Sequence, residues 1–423
     1  MLTTFALLRV RLWWERSVWV LPLLGVLVAW VLAQVLVGVD AYLFALLGGQ
    51  RVISTGAAIA LLSAVAGGMV TFTGFVFSVV LLVVQYGSTA YSPRAVAYFL
   101  RSRLTQAVLG VFLCTITFSL LSLISVGSSG RADFVPLASV LLTTGLLVAS
   151  LVAFLALLQG VGKRIRVDTV VSDIGHQSRV MLRRAFPVES GSSRLLDRAA
   201  DERDRGEVIR YAGRPGQIVA VDAARLLRLA RRHACRIVLT VRAGDAVSVG
   251  SRVAVVTGTD VEDRQVSRCL VVDQERSLRF DPLYGLRILT DISLRALSPA
   301  VHDPTTAVRS LDEVEGVLRT AAAVPLGAIQ LTSAGGAAVV PRASWQDVVD
   351  LALLEVLAAG VDAPQVTRRL RVLLDDLIAD LPDQHRPPLL GYRTRLVERV
   401  QHRYPDDAVA RLTGDHQGIG GSS

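Results

Sequence analysis

The sequence predicts a membrane α-helical domain of four transmembrane helices, followed by a cytosolic α+β region with a small β-barrel-like part and C-terminal helices. Three observations predict it. Residues 18–39, 56–84, 107–126 and 135–161 form four apolar stretches that hold no Asp, Glu, Lys or Arg. Each reaches the ~20 residues that a helix rising ~1.5 Å per residue needs to cross a ~30 Å hydrocarbon core. A soluble helix is rarely apolar on every face for so long. Residues 162–423 contain no such stretch, and short alternating runs and amphipathic helical patterns replace it. The third observation is the charge at the ends of the stretches.

Arg9, Arg11 and Arg16 outweigh Glu15 before the first stretch, and Asp40 cancels Arg51 after it. Arg94, Arg101 and Arg103 follow the second without an acid, Arg131 cancels Asp133 after the third, and Lys163, Arg164 and Arg166 follow the fourth. Basic flanks alternate with neutral ones, which by the positive-inside rule puts both termini in the cytoplasm of a bacterial cell, as a multi-pass protein of its inner membrane. The first stretch is too long for the apolar part of a cleavable signal and is expected to be retained. Trp13, Trp14 and Trp19 at its near edge, and Tyr42 and Phe44 at its far edge, fit the aromatic belts of the two interfaces. The segment 92–103 reads as an amphipathic helix on the inner leaflet, held at the membrane surface by Arg94, Arg101 and Arg103.

These boundaries divide the chain into a cytosolic N-terminal segment 1–17, a four-helix transmembrane domain 18–161 and a helical connector with linker 162–206. A β-rich subdomain 207–280, a mainly helical subdomain 281–412 and a disordered tail 413–423 complete it. Within the connector, 167–186 is amphipathic and Pro187 ends it, whereas 190–206 is polar and charge-dense, as a linker is. Strand-like runs fall at 208–209, 217–221, 236–241, 252–257 and 269–272, with a helix over 223–233 capped by Asp222. Helices are expected over 282–297, 304–320, 345–360, 364–379 and 388–404, with two short β-like runs around Gly335-Gly336.

The net charge of +9 is spread over membrane flanks and a C-terminal half rich in both signs, and aromatics are only 6%. That lacks the basic stripe with interleaved aromatics that nucleic-acid binding wants, so no nucleic acid is expected as a partner. Cys114, Cys235 and Cys269 are scattered, without CxxC spacing, and imply neither a disulfide framework nor a metal site. Gly244-Asp245-x-Val247-x-x-Gly250 resembles the turn-and-strand pattern of lipoyl- and biotinyl-type small barrels. Lys163 is the one lysine in the chain, so no cofactor-bearing arm accompanies the turn, and no cofactor is expected.

The most specific stretch is 273–308. Arg287, Asp291 and Arg295 are four apart, which on a helix forms a ladder with the acid between two guanidiniums. His302-Asp303-Pro304-Thr305-Thr306 is a helix start: Asp303 can cap the free amides, and Pro304 suits the first helical position. One reading joins the two into an anion- or ligand-binding site for a small phosphate or carboxylate, with Arg287, Asp291, Arg295, His302, Asp303, Thr305 and Thr306 around it. The other reading is an internal salt ladder beside a filled cap. His302 and Asp303 are adjacent, which seldom lets two side chains point together, and no Ser or Cys nucleophile accompanies them. No catalytic residue is therefore assigned.

Several segments resemble the bacterial predicted-membrane-protein family called domain of unknown function 2254. They are Tyr91-Ser92-Pro93-Arg94 with Phe99-Leu100-Arg101, Gln106 and Gly110, then Gly244-Asp245 with Gly250, and the block from Asp281-Pro282 to Ala307. The resemblance runs over nearly the whole chain and implies four spans with a cytosolic domain and no established activity. The family pattern has Asn at the position of His302.

The second stretch carries a small or polar stripe of Ser63, Gly67, Thr71, Gly74, Ser78 and Gln85, all within roughly 80° at ~100° per helical residue. Gln106, Gly110, Cys114 and Thr117 make a shorter version in the third. Close packing of helices explains such stripes, and a pore or cavity in a homo-oligomer is the alternative. The expectation is a non-enzymatic sensor or binding protein in the lipid bilayer. An oligomeric channel, similar in layout to small-conductance mechanosensitive channels, is the first alternative, and an enzyme at the cytosolic face the second.

Overall fold

The computed structural model describes residues 19–46, 53–90, 103–128, 137–165, 167–186, 193–196, 206–274, 276, 278 and 280–405. It divides into two compact units, Met1–Arg166 and Val167–Ser423.

The first unit contains helices α1 (Val20–Leu46), α2 (Thr55–Ala90), α3 (Arg103–Ser128) and α4 (Leu137–Ile165). Each is long and apolar enough to cross a membrane. Helix α3 packs against all three others. Val65, Met69 and Val76 of α2 meet Val108 and Phe112 of α3 and Leu157 of α4, with the Phe72 ring 5.5 Å from Phe112 and 4.9 Å from Phe154. Gly25 of α1 and Gly110 of α3 lie backbone to backbone, so that a Cβ on Gly110 would stand 3.0 Å from the Leu21 carbonyl oxygen. Ala29, Cys114 and Phe118 continue that seam. Hydroxyls tie α3 to α4 where no water would satisfy them: Thr115 Oγ1 and Ser150 Oγ are 2.9 Å apart. Asp40 reaches across to cap α4, accepting from the Ala138 N–H at 2.6 Å and the Ser139 hydroxyl at 2.6 Å, and only 2% of it is exposed. A carboxylate at a helix N-terminus satisfies amides that hydrocarbon cannot. Arg94 and Arg101, with the surface helix expected around them, lie outside the described residues, while Arg103 opens α3.

The second unit begins with α5 (Val167–Ala185). It continues through β1 (Ser193–Leu196), β2 (Glu207–Arg210), β3 (Gly216–Val221), α6 (Ala223–Arg232), β4 (Arg236–Leu239), β5 (Ala246–Val247), β6 (Arg252–Thr257), α7 (Asp263–Ser267) and β7 (Leu270–Asp273). Helices α8 (Tyr284–Ala296) and α9 (Pro304–Ala322), the hairpin β8 (Ala328–Ser333) and β9 (Gly336–Val340), and helices α10 (Trp345–Gly360), α11 (Pro364–Asp380) and α12 (Arg386–Arg403) complete it. Sequence and structure agree on most of these because the signals are local. Asp222 accepts from the Arg225 N–H at 2.8 Å, Ser344 and Asp347 form a capping box for α10, and prolines open α9 and α11.

The strands differ from expectation in three respects. They form two open sheets, one in the order β1-β8-β9-β4-β6-β2 and one in the order β5-β3-β7. Among the described residues they close no barrel, because β3 pairs with β5 and β7 rather than with β2. The stretch 190–206, expected as linker, contains β1, an edge strand antiparallel to β8. Strand β9 pairs parallel to β4, so one sheet crosses the boundary expected at 280. The core of this sheet region is Ile209, Ile218, Leu226, Ile237, Leu239 and Val253 with their neighbours. The helices bury a second set, including Leu286, Leu289, Ile292, Val314, Leu318, Leu353, Leu370, Leu374 and Tyr392.

Candidate functional site

Helix α8 packs against α5, α9 and α10. Leu286, Leu289 and Ile292 are wholly buried on it, and its polar side chains are tied to neighbours. Thr290 Oγ1 donates to the Leu351 carbonyl of α10 at 3.1 Å, and Ser310 Oγ of α9 donates to the Leu289 carbonyl at 2.8 Å. Gly285 leaves no room for a side chain because Ser178 of α5 occupies the place of its Cβ.

Arg287 forms an ion pair with Asp291 at 2.9 Å and, across to α10, a forked pair with Glu355 at 2.8 and 3.1 Å. The bond to Glu355, outweighing the cost of burial, raises the Arg287 guanidinium above its usual pKa. Arg295 is exposed and is itself engaged in an interaction. At the other end of the helix, the Asp303 N–H donates to the Ala296 carbonyl at 2.8 Å. Asp303 then caps α9, accepting from the Thr306 N–H at 3.1 Å and the Thr306 hydroxyl at 2.5 Å. His302 and Thr305 are exposed, and His302 has φ +46°. That left-handed conformation is where Asn and His are enriched among non-glycine residues, which accounts physically for either residue at this position. Arg287 and Ala296 are nine residues apart, about 14 Å along the helix. Arg287 is therefore held apart from the helix start, whereas Arg295 adjoins Ala296, the residue whose carbonyl meets the Asp303 N–H.

Two segments singled out in the sequence do converge. Gly244, at φ +96°, faces the 276–284 segment so closely that a Cβ on it would stand 2.9 Å from Arg276 Nη2 and 3.3 Å from Asp281 Oδ2. The Asp281 side chain is 2% exposed. It accepts from Arg276 Nε at 2.5 Å and from the Leu283 N–H at 3.0 Å, while the Arg276 guanidinium lies 5.1 Å over the Tyr284 ring. Beside it, Arg242 donates to Asp347 at 2.9 Å, and its backbone N–H donates to Asp245 at 2.9 Å. Partial burial pushes the Asp347 carboxyl up, but Arg242 and Ser344 outweigh it and hold it below the usual range. This junction joins the 244–250 turn to the starts of α8 and α10. Gly244 and Gly250 were visible in the sequence as turn signals, and Asp281 as the first residue of the block that resembles the family; Arg276, Arg242 and Asp347 carried no signal that linked them.

A third feature was absent from the sequence reading. Helix α5 lies in a glycine-lined seat: Gly175 faces Glu313, Gly285 faces Ser178, and a Cβ on Gly316 would stand 2.9 Å from Arg179 Nη1. Arg179 pairs with Glu313 at 2.6 Å. In the first unit, the stripes of α2 and α3 differ. Gly110 and Cys114 of α3 are buried in the seam with α1, whereas Ser63, Gly67, Thr71, Gly74, Ser78 and Gln85 are all exposed in the single chain. Thr71 and Ser78 donate to the Gly67 and Gly74 carbonyls of their own helix, at 3.3 and 3.0 Å. Packing within the chain thus explains the α3 stripe and leaves the α2 stripe facing outward.

Four span-length apolar helices and a folded α+β unit behind them define a multi-pass membrane protein with a large C-terminal domain. The chain belongs to the family described as predicted membrane protein (DUF2254), whose model matches residues 15–376. It is similar to the uncharacterized protein Mb1321c of Mycobacterium bovis and the uncharacterized protein Rv1290c of Mycobacterium tuberculosis. Each is 30% identical over 322 residues, covering 73% of this chain and 61% of the relative. The chain thus spans about three fifths of the length of these curated relatives. No solved structure matches it.

Proposed function

We propose that the protein is a non-enzymatic sensor or binding protein of the inner membrane. Both termini lie in the cytoplasm, and the C-terminal domain reports a bound ligand or partner to the spans. The observation that carries this reading is the seat of α5. Only Arg166 separates the end of α4 from the start of α5. Helix α5 buries Val170, Val171, Ile174, Ser178 and Leu182 in the domain, with glycines at its crossings and the Arg179–Glu313 pair. A helix held so tightly moves with α8 and α9, and any rearrangement of those helices loads span four. A binding role rather than catalysis is favoured by the ionisable groups of 281–303. Asp281, Arg287 and Asp303 are each engaged in ion pairs, turns or caps that hold structure together.

The test uses the full chain in lipid nanodiscs, screened with anionic metabolites by thermal shift. A stabilising ligand is expected to change hydrogen exchange in Leu137–Ile165, and Arg179→Ala is expected to remove that change while leaving ligand binding intact. Ligand binding that leaves exchange in α4 untouched would refute the reporting role.

A second reading is favoured by the outward stripe of α2: a homo-oligomer in which this face meets another copy, with a channel as the form in which the stripe lines a pore.

A further inference from the structure

Helix α6 carries the sequence Ala-Ala-Arg-Leu-Leu-Arg-Leu-Ala-Arg-Arg, four arginines in ten residues. At ~100° per residue Arg225, Arg228, Arg231 and Arg232 fall within about 120° of arc, opposite Leu226 and Ala230. Leu226 and Ala230 are wholly buried in the sheet core. The helix is pressed onto β9, where a Cβ on Gly336 would stand 2.5 Å from the Ala230 carbonyl carbon. Its outer face is thereby fixed toward solvent, with Arg225, Arg231 and Arg232 exposed.

Elsewhere in this unit, arginines find acids: Arg179, Arg242, Arg276, Arg287, Arg319 and Arg369 are all in ion pairs. The four on α6 have no acidic partner among the described residues. Asp222, the acid that opens the helix, is buried and accepts from the helix's own Arg225 N–H. Nor does α6 carry an aromatic ring on which a base could stack, which disfavours a nucleic acid. The family and the four apolar helices place this domain on a chain embedded in a bilayer. A leaflet surface is therefore always present at high effective concentration.

We propose that the outer face of α6 is a docking surface for anionic lipid headgroups, engaged by Arg225, Arg228, Arg231 and Arg232. Each arginine close to an anionic leaflet strengthens association by about fivefold at moderate salt, so the four together suffice for a docked state that salt dissolves. This inference does not depend on the sensor reading, since it requires only that the chain be anchored in a membrane.

The test again uses the full chain. Ala224 is exposed on the same arc, and the native cysteines at 114, 235 and 269 are buried, so Ala224→Cys accepts a fluorescent maleimide selectively. Quenching by neutral acrylamide is read in nanodiscs of pure phosphatidylcholine and in nanodiscs with added phosphatidylglycerol. In the anionic discs quenching is expected to fall by about threefold or more and to recover in high salt, as a screened surface contact must. A second label at the exposed Ala359 of α10 is expected not to respond. Replacing all four arginines by glutamine is expected to abolish the protection. Should that variant fail to fold, the salt titration of the arginine-bearing protein still decides. Equal quenching in both lipids, protection insensitive to salt, or protection produced by RNA or an acidic peptide but not by anionic lipid would each overturn the proposal.

Discussion

Asp303 and His302 share the start of α9 but contribute there by different means, one through its side chain and the other through its backbone. Asp303 supplies both of its oxygens to Thr306, so its removal strands an amide and a hydroxyl. Losing such a cap costs about 0.5–2 kcal/mol. His302 makes its contribution through the backbone, at φ +46° and with its N–H donated to the Ser298 carbonyl at 2.9 Å. An exposed imidazole in that conformation should be replaceable by any residue that tolerates it. We expect His302→Asn and His302→Gly to leave stability within about 0.5 kcal/mol, because both adopt left-handed backbone readily. His302→Val should cost about 1–2 kcal/mol, since β-branching opposes it. Denaturant unfolding of the full chain in detergent, followed by exchange in α9, measures both. Asn and Val variants that behave alike would show that the ring, rather than the backbone, is what the position requires.

At the scale of elements, the two small-residue stripes of the membrane unit separate by what faces them. Gly25 and Gly110 bring the α1 and α3 backbones into contact, and a leucine at either would have to push two helices apart. Nothing lies within 4 Å of a Cβ built on Gly67 or Gly74. Gly110→Leu is therefore expected to cost about 3 kcal/mol or more and to lower the folded yield sharply. Gly67→Leu and Gly74→Leu should fold as single chains. If the α2 stripe meets another copy, those two variants should also reduce the oligomer seen by size-exclusion chromatography with light scattering, because bulk at a small-residue interface keeps backbones apart. Folded protein with an unchanged association state would leave the stripe facing lipid and dispose of the pore. Cap and proline signals made the longer helices of the C-terminal unit legible to within a few residues, and Asp222 and Asp303, read as caps, both accept from the amide three residues on. The short α7 carried no such signal and was not expected. Strand β1 escaped because four residues in a polar stretch carry no alternation, and its reason for being a strand lies in β8.

At the scale of the whole molecule, legibility follows sequence separation. Apolar length and the match to a family of predicted membrane proteins point to the same class of protein because each is read along the chain. The contacts that build the site are not: Arg287 and Glu355 are 68 residues apart, Arg179 and Glu313 are 134 apart, and Asp40 caps α4 from 98 residues away. The Asp40 case bears directly on orientation. Its charge was counted as a flank charge against Arg51, yet it is buried and committed to the amides of α4. Acids weigh little in the positive-inside rule, whereas Lys and Arg near the span ends set the orientation. Removing Asp40 from the count leaves one arginine in that connection against Arg94, Arg101 and Arg103 in the next, so the inequality that sets the topology stands. Fusions of a periplasm-active reporter after Gly48 or Ser129 are accordingly expected to be active, and those after Ser102 or Arg166 silent. Asp40→Asn should weaken the cap and the folded yield without changing which fusions are active. A variant that inverts the pattern would show that the buried carboxylate, and not the arginine flanks, decides which side of the membrane the C-terminal domain occupies.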